Sequence, residues 1–372
     1  MKRFIALSLA LLLCITATGC VAEKTDADIT GTTVAATENL SPEGKTVGIS
    51  LPNDTSQRWV DDGKALQTGL EAMGCRVILQ YAQDDALLQA EQIGDMIAQS
   101  ADCLVVAAVD GFMLTDALQK AKNANIPVIA YDQLLMNTDA VTYYIGFDNM
   151  TAGMEMGRYI VAGKNLETAA NEGRSHTIEF FMGAPEDHNA LMLHQGIMSV
   201  LQPFLDSGVL VCRSGRTAFE DVCTKNSSAE EAKADCAQYL AEYYQEALPD
   251  VLCTATDTIA QGCREALEEA DGIPGENWPL ITGQDVDLEA VKRIASGYQS
   301  MTAYKDYGAV QQNCLKATQA VLSLTPLQTG NASFYNGVKS FPAFLTRPVT
   351  VDAQNYREVL IDGGVFAPED IA

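Results

Sequence analysis

The stretch IPVIAYDQLLMNTDAVTYYIGFDNMTAG, residues Ile126–Gly153, decides the fold predicted for this chain. It contains two short apolar runs, Ile126–Tyr131 and Val141–Phe147, and short apolar runs bounded by polar turns are typical of buried strands. The first run ends at Asp132, and open α/β sheets hold ligands at the carboxyl ends of their strands. A helical pattern that begins a new unit follows the second run. The stretch is therefore interpreted as both a binding edge and a crossing point between two lobes.

The alternation of strand and helix extends from this stretch in both directions. Strand patterns on its N-terminal side are TVGISL, RVILQYA, CLVVAAV and PVIAY, and those on its C-terminal side are TIEFFM, VLVC, VLCTA, PLITG and SMTAY. Helical patterns separate them, and a run of such units predicts parallel sheets with helices on both faces. We therefore predict an α/β protein with two similar lobes in tandem.

The chain begins with a targeting segment. Lys2 and Arg3 precede an apolar run, Phe4–Ile15, and small residues follow it, a pattern typical of a signal peptide. The ending Gly19-Cys20 resembles the lipobox of bacterial lipoproteins, which implies cleavage before Cys20 and lipidation of its thiol. An ordinary signal peptide with an incidental cysteine is the alternative. Residues 21–45 are rich in Thr, Ala, Glu and Asp without an apolar period, which predicts a disordered tether.

Composition restricts the class of partner. The chain has 372 residues, of which 47% are hydrophobic, and a formal net charge of −25. This charge argues against binding to nucleic acid or to anionic lipid through a basic patch. Without a C-x-x-C pair, zinc ribbons and thioredoxin-like sites are not expected. Cys75 and Cys103 are predicted to be buried thiols, and the pairing of the eight cysteines beyond the signal peptide stays open: Cys75, Cys103, Cys212, Cys223, Cys236, Cys253, Cys263 and Cys314.

Polar residues follow nearly every predicted strand. Carboxylates and amides accept from and donate to hydroxyl groups, Arg and Lys donate, and aromatic faces stack on apolar ring faces. The set therefore suits a polyhydroxylated neutral ligand, although each residue taken singly could be a helix cap or a loop residue. Its members are Asn53–Trp59, Asp110, Asp132, Gly183–Asn189, Asp257, Gln284–Asp285 and Lys305.

Several segments in this order resemble the multiple-sugar- and xylose-binding receptors of bacterial ABC importers. They are SQRWVDDG, AAVDG, VIAYDQ, YIGFDN, GAPEDHNA, TGQDVDLEAVKRIASG and MTAYKD, and the resemblance spans about Thr46 to Phe366. It implies a type I periplasmic-binding-protein fold, in which two Rossmann-like lobes are joined by a three-strand hinge and a monosaccharide lies in the cleft. The lobes it implies are residues 46–147 with 304–345, and residues 148–303 with 346–372.

The resemblance also implies a set of sugar-binding residues and a set of partners. Gln133 departs from the family pattern, which has Arg after Asp132, and His188 stands where a second carboxylate or amide is commoner. The expected partners are a monosaccharide of the xylose, galactose, glucose and arabinose class, the membrane permease of an ABC importer, and a membrane reached through the lipid anchor. The protein is expected to act as a monomer outside the cytoplasm, without a cofactor or metal. The implied sugar-binding residues are Arg58, Trp59, Asp110, Asp132, Gln133, Asn189, Asp257, Asp285 and Lys305.

Four alternatives to a transport receptor differ in how far the sequence supports them. A sugar sensor that presents its closed form to a chemoreceptor or kinase would have the same sequence pattern. A glycoside hydrolase needs two carboxylates that flank the bond, and Asp132 with Asp285 could supply them. The sequence supports other enzyme classes less than a glycoside hydrolase, because the chain has no G-x-G-x-x-G after its first strand and no G-x-S-x-G. A repressor is excluded by the signal peptide and the missing helix-turn-helix.

Overall fold

The computed structural model describes residues 41–275, 277–329 and 332–371. The predicted signal peptide, the lipidation site Cys20 and most of the predicted tether lie outside these residues. The tether was predicted to extend to Lys45, but residues 41–45 already belong to the folded domain. The Gly44 N–H donates to the Gly74 carbonyl at 2.9 Å, and Lys45 pairs with Asp102 at 3.0 Å.

One large sheet organises the first lobe. It has seven strands in the order β11-β12-β5-β4-β3-β1-β2, and all neighbouring pairs are parallel except β11 with β12. Strands β1, β3 and β4 are buried along their whole length, as expected for parallel strands covered on both faces. The strands are β1 (Thr46–Leu51), β2 (Arg76–Tyr81), β3 (Cys103–Val106), β4 (Val128–Tyr131), β5 (Val141–Phe147), β11 (Ser333–Tyr335) and β12 (Ser340–Thr346).

Four helices cover the two faces of this sheet. One apolar cluster joins α2 and α3 to it, and another joins α1 and α10. Helix α2 begins at an aspartate cap, because the Asp85 side chain accepts from the backbone N–H groups of Leu87 and Leu88. The helices are α1 (Gln57–Ala72), α2 (Ala86–Ala98), α3 (Thr115–Asn123) and α10 (Tyr307–Leu322).

A second parallel sheet, in the order β7-β6-β8-β9, organises the other lobe. Its core packs against α4 and α6 and against α7 and α8. An isolated bridge between Gln284 and Ala303 continues the sheet to β10, which pairs antiparallel with β13. The strands are β6 (His176–Phe181), β7 (Leu210–Val211), β8 (Val251–Thr254), β9 (Leu280–Ile281), β10 (Met301–Tyr304) and β13 (Val349–Asp352).

Two elements were not predicted from the sequence. They are helix α5 of this second lobe and strand β11 of the first sheet. A π-helix, Arg357–Asp362, packs near the end of the chain in a small cluster with Val286 and Val351. The remaining helices are α4 (Asn149–Gly163), α5 (Leu166–Glu172), α6 (His188–Asp206), α7 (Ala229–Tyr243), α8 (Asp257–Glu269) and α9 (Leu288–Ala295).

The chain passes between the two sheets three times. It leaves the first sheet after β5, returns to it from β10 into α10, and leaves it again between β12 and β13. The predicted crossing point at the end of Val141–Phe147 is the first of these passages. Because ends of strands from both lobes meet beside the passages, side chains far apart in sequence share one cleft.

The cysteines in the described part of the chain are free thiols. Cys75 and Cys103 are buried beside the first sheet, as predicted. Burial raises the pKa of the Cys103 thiol to about 12, so this thiol stays protonated and unreactive at neutral pH.

Candidate functional site

A cavity of about 560 Å³ lies between the two lobes. Its volume falls in the range of about 300–1,000 Å³ that is typical of small-molecule sites. Both lobes contribute to its wall, and most of the contributing residues follow the carboxyl end of a strand. The first lobe supplies Asn53, Ser56, Arg58, Trp59, Asp132 and Gln133, the second supplies Asp187, Asn189, Asn226, Ser227, Thr256, Gln284, Asp285 and Asp287 among others, and Lys305 and Tyr307 follow the passage after β10.

Arg58 anchors the first-lobe wall. It lies in the first turn of α1, and its Nη2 donates to Asp132 Oδ2 at 2.7 Å, while its Nε lies 3.5 Å from Asp62 Oδ2. Its guanidinium also stacks between aromatic rings, 4.0 Å from the Trp59 centroid and 4.3 Å from that of Tyr307. Burial alone would lower the pKa of Arg58, but Asp132, Tyr307 and Asp62 outweigh it and raise that pKa. A permanent, fixed cation therefore stands in the cleft.

Asp132 has a conformation that aims its carboxylate into the cleft. Its φ of 57° is in the left-handed region that non-glycine residues rarely adopt, and such strain is common at ligand sites. Its backbone is fixed by three bonds: its N–H donates to the Ile145 carbonyl at 2.7 Å, and its carbonyl accepts from Tyr144 Oη at 2.9 Å and Asn189 Nδ2 at 3.1 Å. Its side chain is only 4% exposed, and Oδ1 has no hydrogen-bond partner among the residues described. A buried acceptor of this kind favours a ligand that donates.

Asp285, Lys305 and Tyr307 form a second polar group in the wall of this cavity. Lys305 Nζ lies 3.6 Å from Asp285 Oδ1, which also accepts from Tyr307 Oη at 3.1 Å. The backbone turns sharply here, with φ of 97° at Asp285 and 63° at Val286. Burial raises the pKa of Tyr307 well above its usual range, so its hydroxyl remains a donor. This group presents a cation, a carboxylate and a hydroxyl to the same space.

Asn189 links the two lobes near the passages between them. It is the second residue of α6, and Asp187 caps that helix by accepting from the Asn189 N–H at 2.8 Å. Its Nδ2 donates across to the Asp132 carbonyl, and its Oδ1 accepts from Asn149 Nδ2 at 2.9 Å. Burial raises the pKa of the Asp187 carboxyl, which also lines the cavity.

Asp257 lies behind the cavity wall and does not line it. Its side chain is fully buried, and its Oδ1 accepts from Gln299 Nε2 at 2.6 Å. Its Oδ2 accepts from Thr302 Oγ1 at 2.9 Å and from the backbone N–H groups of Val286 and Asp287 at 2.8 and 3.1 Å. Thr256, the preceding residue, is the one that reaches the cavity. Asp257 therefore holds the turn that carries Asp285.

Of the other predicted residues, some line the cavity and some do not. Trp59 and Gln133 line the cavity. The Asp110 carboxylate instead accepts from the Phe112 N–H at 2.8 Å in its own loop, and its neighbours Val109 and Gly111 line a second cavity beside the cleft. His188, which the sequence reading had singled out, also lines that second cavity.

Sequence reasoning missed several lining residues. Tyr307 stands two residues after Lys305 and could have been found from the same strand end, and Gln284 and Asn53 were noted without being chosen. Thr256 was not chosen, although its neighbour Asp257 was. Asn226 and Ser227 carried no signal, since they lie in a long irregular connection between β7 and α7.

Comparison with known proteins identifies the family. Residues 47–325 match the family described as "Periplasmic binding protein domain". The chain belongs to this family. The assignment confirms the predicted resemblance and the predicted two-lobed α/β fold, and it supports a binding protein over an enzyme.

Relatives in this family include proteins whose names describe sugar binding. The chain is 37% identical over 328 residues to the multiple sugar-binding periplasmic protein SbpA of Azospirillum brasilense. The aligned region covers 88% of this chain and 91% of that protein. It is also 37% identical to the multiple sugar-binding periplasmic receptor ChvE of Rhizobium radiobacter, with 88% and 92% covered. An ABC transporter solute-binding protein from Clostridium phytofermentans, solved with bound β-D-glucose, is 38% identical with a TM-score of 0.80, over 88% of this chain and 100% of that one.

Within residues 41–275, 277–329 and 332–371, no helix combines the length and apolarity that a membrane span requires. No group of three or more His, Cys, Asp or Glu side chains in this part of the chain has the geometry of a metal site.

Proposed function

We propose that this protein is the extracytoplasmic substrate-binding receptor of an ABC importer and that its ligand is a monosaccharide of the xylose, galactose, glucose and arabinose class. The observation that carries the proposal is the presence of two ion pairs in the wall of one cavity. Arg58 and Asp132 belong to the first lobe, and Lys305, at the passage after β10, pairs with Asp285 of the second lobe. Hydroxyl groups both donate and accept, so a sugar suits a cavity of mixed donors and acceptors better than an apolar ligand does.

The membership in the family and the names of the relatives support the transport role. The names of SbpA and ChvE and the glucose bound to the protein of Clostridium phytofermentans support the ligand class. The permease of the importer, a monomeric state, and lipid anchoring through Cys20 are parts of the same proposal. We also propose the lobe boundaries given above, with which the strand order of the two sheets agrees.

Closure of the two lobes over the sugar is the mechanism we propose. A ligand that contacts both lobes binds the closed state better than the open one, and this difference in affinity shifts the population of the two states. Asp132 Oδ1 is the acceptor that benefits most from a hydrogen bond donated by the sugar, because it is buried without a partner among the residues described.

Calorimetric titration with xylose, arabinose, galactose and glucose tests the proposal. We expect Asp132→Ala and Asp285→Ala each to weaken the best aldose by about 30- to 1,000-fold, equivalent to roughly 2–4 kcal/mol, because each leaves ligand hydroxyls unpaired in the closed cleft. Trp59→Ala should weaken the free energy of sugar binding by less, about 1–2 kcal/mol, since stacking is only part of the role of Trp59.

Asp116→Ala is the matched control, because this aspartate is exposed in the first turn of α3. It should leave the affinity within twofold of that of the wild type. Binding by both cleft variants within threefold of wild type would show that the cavity is not the site. Failure of every aldose to bind the wild-type protein would end the proposal.

A further inference from the structure

The cavity between the lobes adjoins a second cavity of similar size. We call the cavity of about 560 Å³ the inner chamber and its neighbour, of about 540 Å³, the outer chamber. They share six lining residues: Asn53, Trp59, Gln133, Asp187, Asn226 and Ser227. A ligand in one chamber can therefore extend into the other along a common wall.

The two chambers differ in their chemistry. The inner chamber contains both ion pairs of the site, Arg58 with Asp132 and Lys305 with Asp285. Among the described residues, no Arg or Lys lines the outer chamber, and its wall includes the apolar side chains of Phe112 and Met136. Phe112 is 51% exposed although it is a large aromatic residue. An uncovered aromatic face at the edge of a polar cleft is suited to the apolar face of a sugar ring.

Polar groups suited to hydroxyls line the same chamber as Phe112. Asn53 Nδ2 donates to Asp84 Oδ1 at 2.8 Å, which fixes both side chains in the wall of the outer chamber. His188, at the start of α6, contributes from the second lobe, and burial lowers the pKa of its imidazole, which keeps it neutral at physiological pH. The aromatic face, the amide, the imidazole and the carboxylates of Asp84, Glu186 and Asp187 suit the hydroxyls of a polyol and disfavour an anionic ligand.

A strained loop reaches over both chambers. Asn226 and Ser227 have φ values of 53° and 50°, the left-handed region that costs non-glycine residues free energy. Ser227 Oγ accepts from the Ala184 N–H at 2.9 Å, which ties the loop to the segment before α6. The Asn226 side chain is exposed and lines both chambers. The loop therefore places an amide at the junction where one sugar ring would join another.

We propose that the outer chamber is a second sugar subsite, so that the cleft accepts a disaccharide with one ring in each chamber. A hexose has only twelve non-hydrogen atoms, whereas each chamber alone has the volume of a typical small-molecule site. The inference rests on the proposed sugar-binding function and extends it from one ring to two.

Calorimetric titration of the full domain with matched sugars tests the inference. The probes are maltose, cellobiose, lactose and xylobiose, compared with glucose, galactose and xylose. We expect at least one disaccharide to bind no more than about tenfold more weakly than its best component monosaccharide. Phe112→Ala should lower the ratio of disaccharide to monosaccharide affinity by about 3- to 10-fold, because it removes an aromatic contact from the outer chamber alone.

Asn226→Gly should lower the same ratio, and it should fold well because glycine adopts a positive φ without strain. Leu324→Ala removes another exposed apolar side chain, 78% exposed at the end of α10, and should leave the ratio unchanged. If monosaccharides bind and no disaccharide does, the second subsite is wrong while the proposed function stands. If a disaccharide binds but Phe112→Ala and Asn226→Gly leave the ratio unchanged, the second ring lies elsewhere and the inference also fails. If no sugar binds at all, the proposed function and the second subsite are both wrong.

Discussion

At the scale of single residues, Asp257 illustrates how a carboxylate can serve a site without touching its ligand. It receives four donors, and two of them are backbone N–H groups of the turn at Val286 and Asp287. That turn carries Asp285 in an unusual backbone conformation, which the bonds to Asp257 stabilise. We therefore interpret Asp257 as a positioning residue for Asp285.

The pKa of Asp257 gives this interpretation a test. Burial raises that pKa to about 7, so the folded protein keeps a proton that the unfolded chain releases near pH 4. The stabilisation from this proton is complete below about pH 4 and is lost as the pH rises through about 7. We expect the free energy of unfolding of the wild type to fall, relative to that of Asp257→Asn, between pH 4 and pH 8, as measured by urea denaturation.

The same variant should weaken sugar binding, because an amide cannot accept from all four donors and the turn at Asp285 loosens. Asp116→Asn is the control, since its exposed carboxylate should change neither the pH slope nor the affinity. Parallel stability curves for the wild type and Asp257→Asn would contradict the assignment.

At the scale of elements, close packing of α4 against α6 fixes the position of Asn189. Gly153 in α4 faces the Leu193 carbonyl of α6, and Gly196 in α6 faces the Met150 carbonyl of α4. A Cβ atom at either glycine would overlap that backbone, so the two helices approach as closely as they do only without side chains there. Because α6 carries Asn189 into the cleft, this contact positions a residue of the site.

Gly153→Ala should therefore destabilise the protein by about 1–3 kcal/mol, the usual cost of overpacking. Gly94→Ala is a matched control in α2, because nothing lies within 4 Å of the added Cβ, and it should stabilise the protein by about 0.5–1 kcal/mol through helix propensity. Urea denaturation measures both changes. An equal or higher midpoint for Gly153→Ala would mean that the helices can separate at little cost.

At the scale of the whole molecule, the three passages between the sheets allow the lobes to move about a common hinge. Because polar and charged residues of both lobes line the cleft, a sugar that contacts both should draw the lobes together. We expect small-angle X-ray scattering to give a smaller radius of gyration at saturating sugar than without sugar. Identical scattering curves at a concentration where calorimetry shows saturation would indicate a static cleft.

The attachment of the whole molecule to a membrane is a separate prediction from the Gly19-Cys20 ending. Cys20→Ala should abolish lipidation, and the protein should move from the membrane fraction to the soluble fraction on cell fractionation. Cys314→Ala keeps the lipidation site and changes only a buried thiol, so it should remain in the membrane fraction. Retention of Cys20→Ala with the membrane would favour an ordinary signal peptide with an incidental cysteine.

The sequence by itself determined the layered α/β architecture and one of its crossing points. Apolar runs such as Val128–Tyr131 and Val141–Phe147 are local signals, since strands buried on both faces need continuous apolar residues wherever they lie in the fold. The strand ends then located Asp132, Asp285 and Lys305, because a polar residue directly after a buried strand is visible in the sequence.

Only the tertiary structure decided which of these polar groups face the cleft. Thr256 and Asp257 are adjacent, yet Thr256 lines the cavity while Asp257 is buried by Gln299 and Thr302, which lie 42 and 45 residues further along the chain. Asn226 reaches the cleft from an irregular loop whose path depends on its tie to Ala184. Such placements depend on which distant segments meet, and since periodicity reports only on neighbouring residues, the sequence pattern does not contain them.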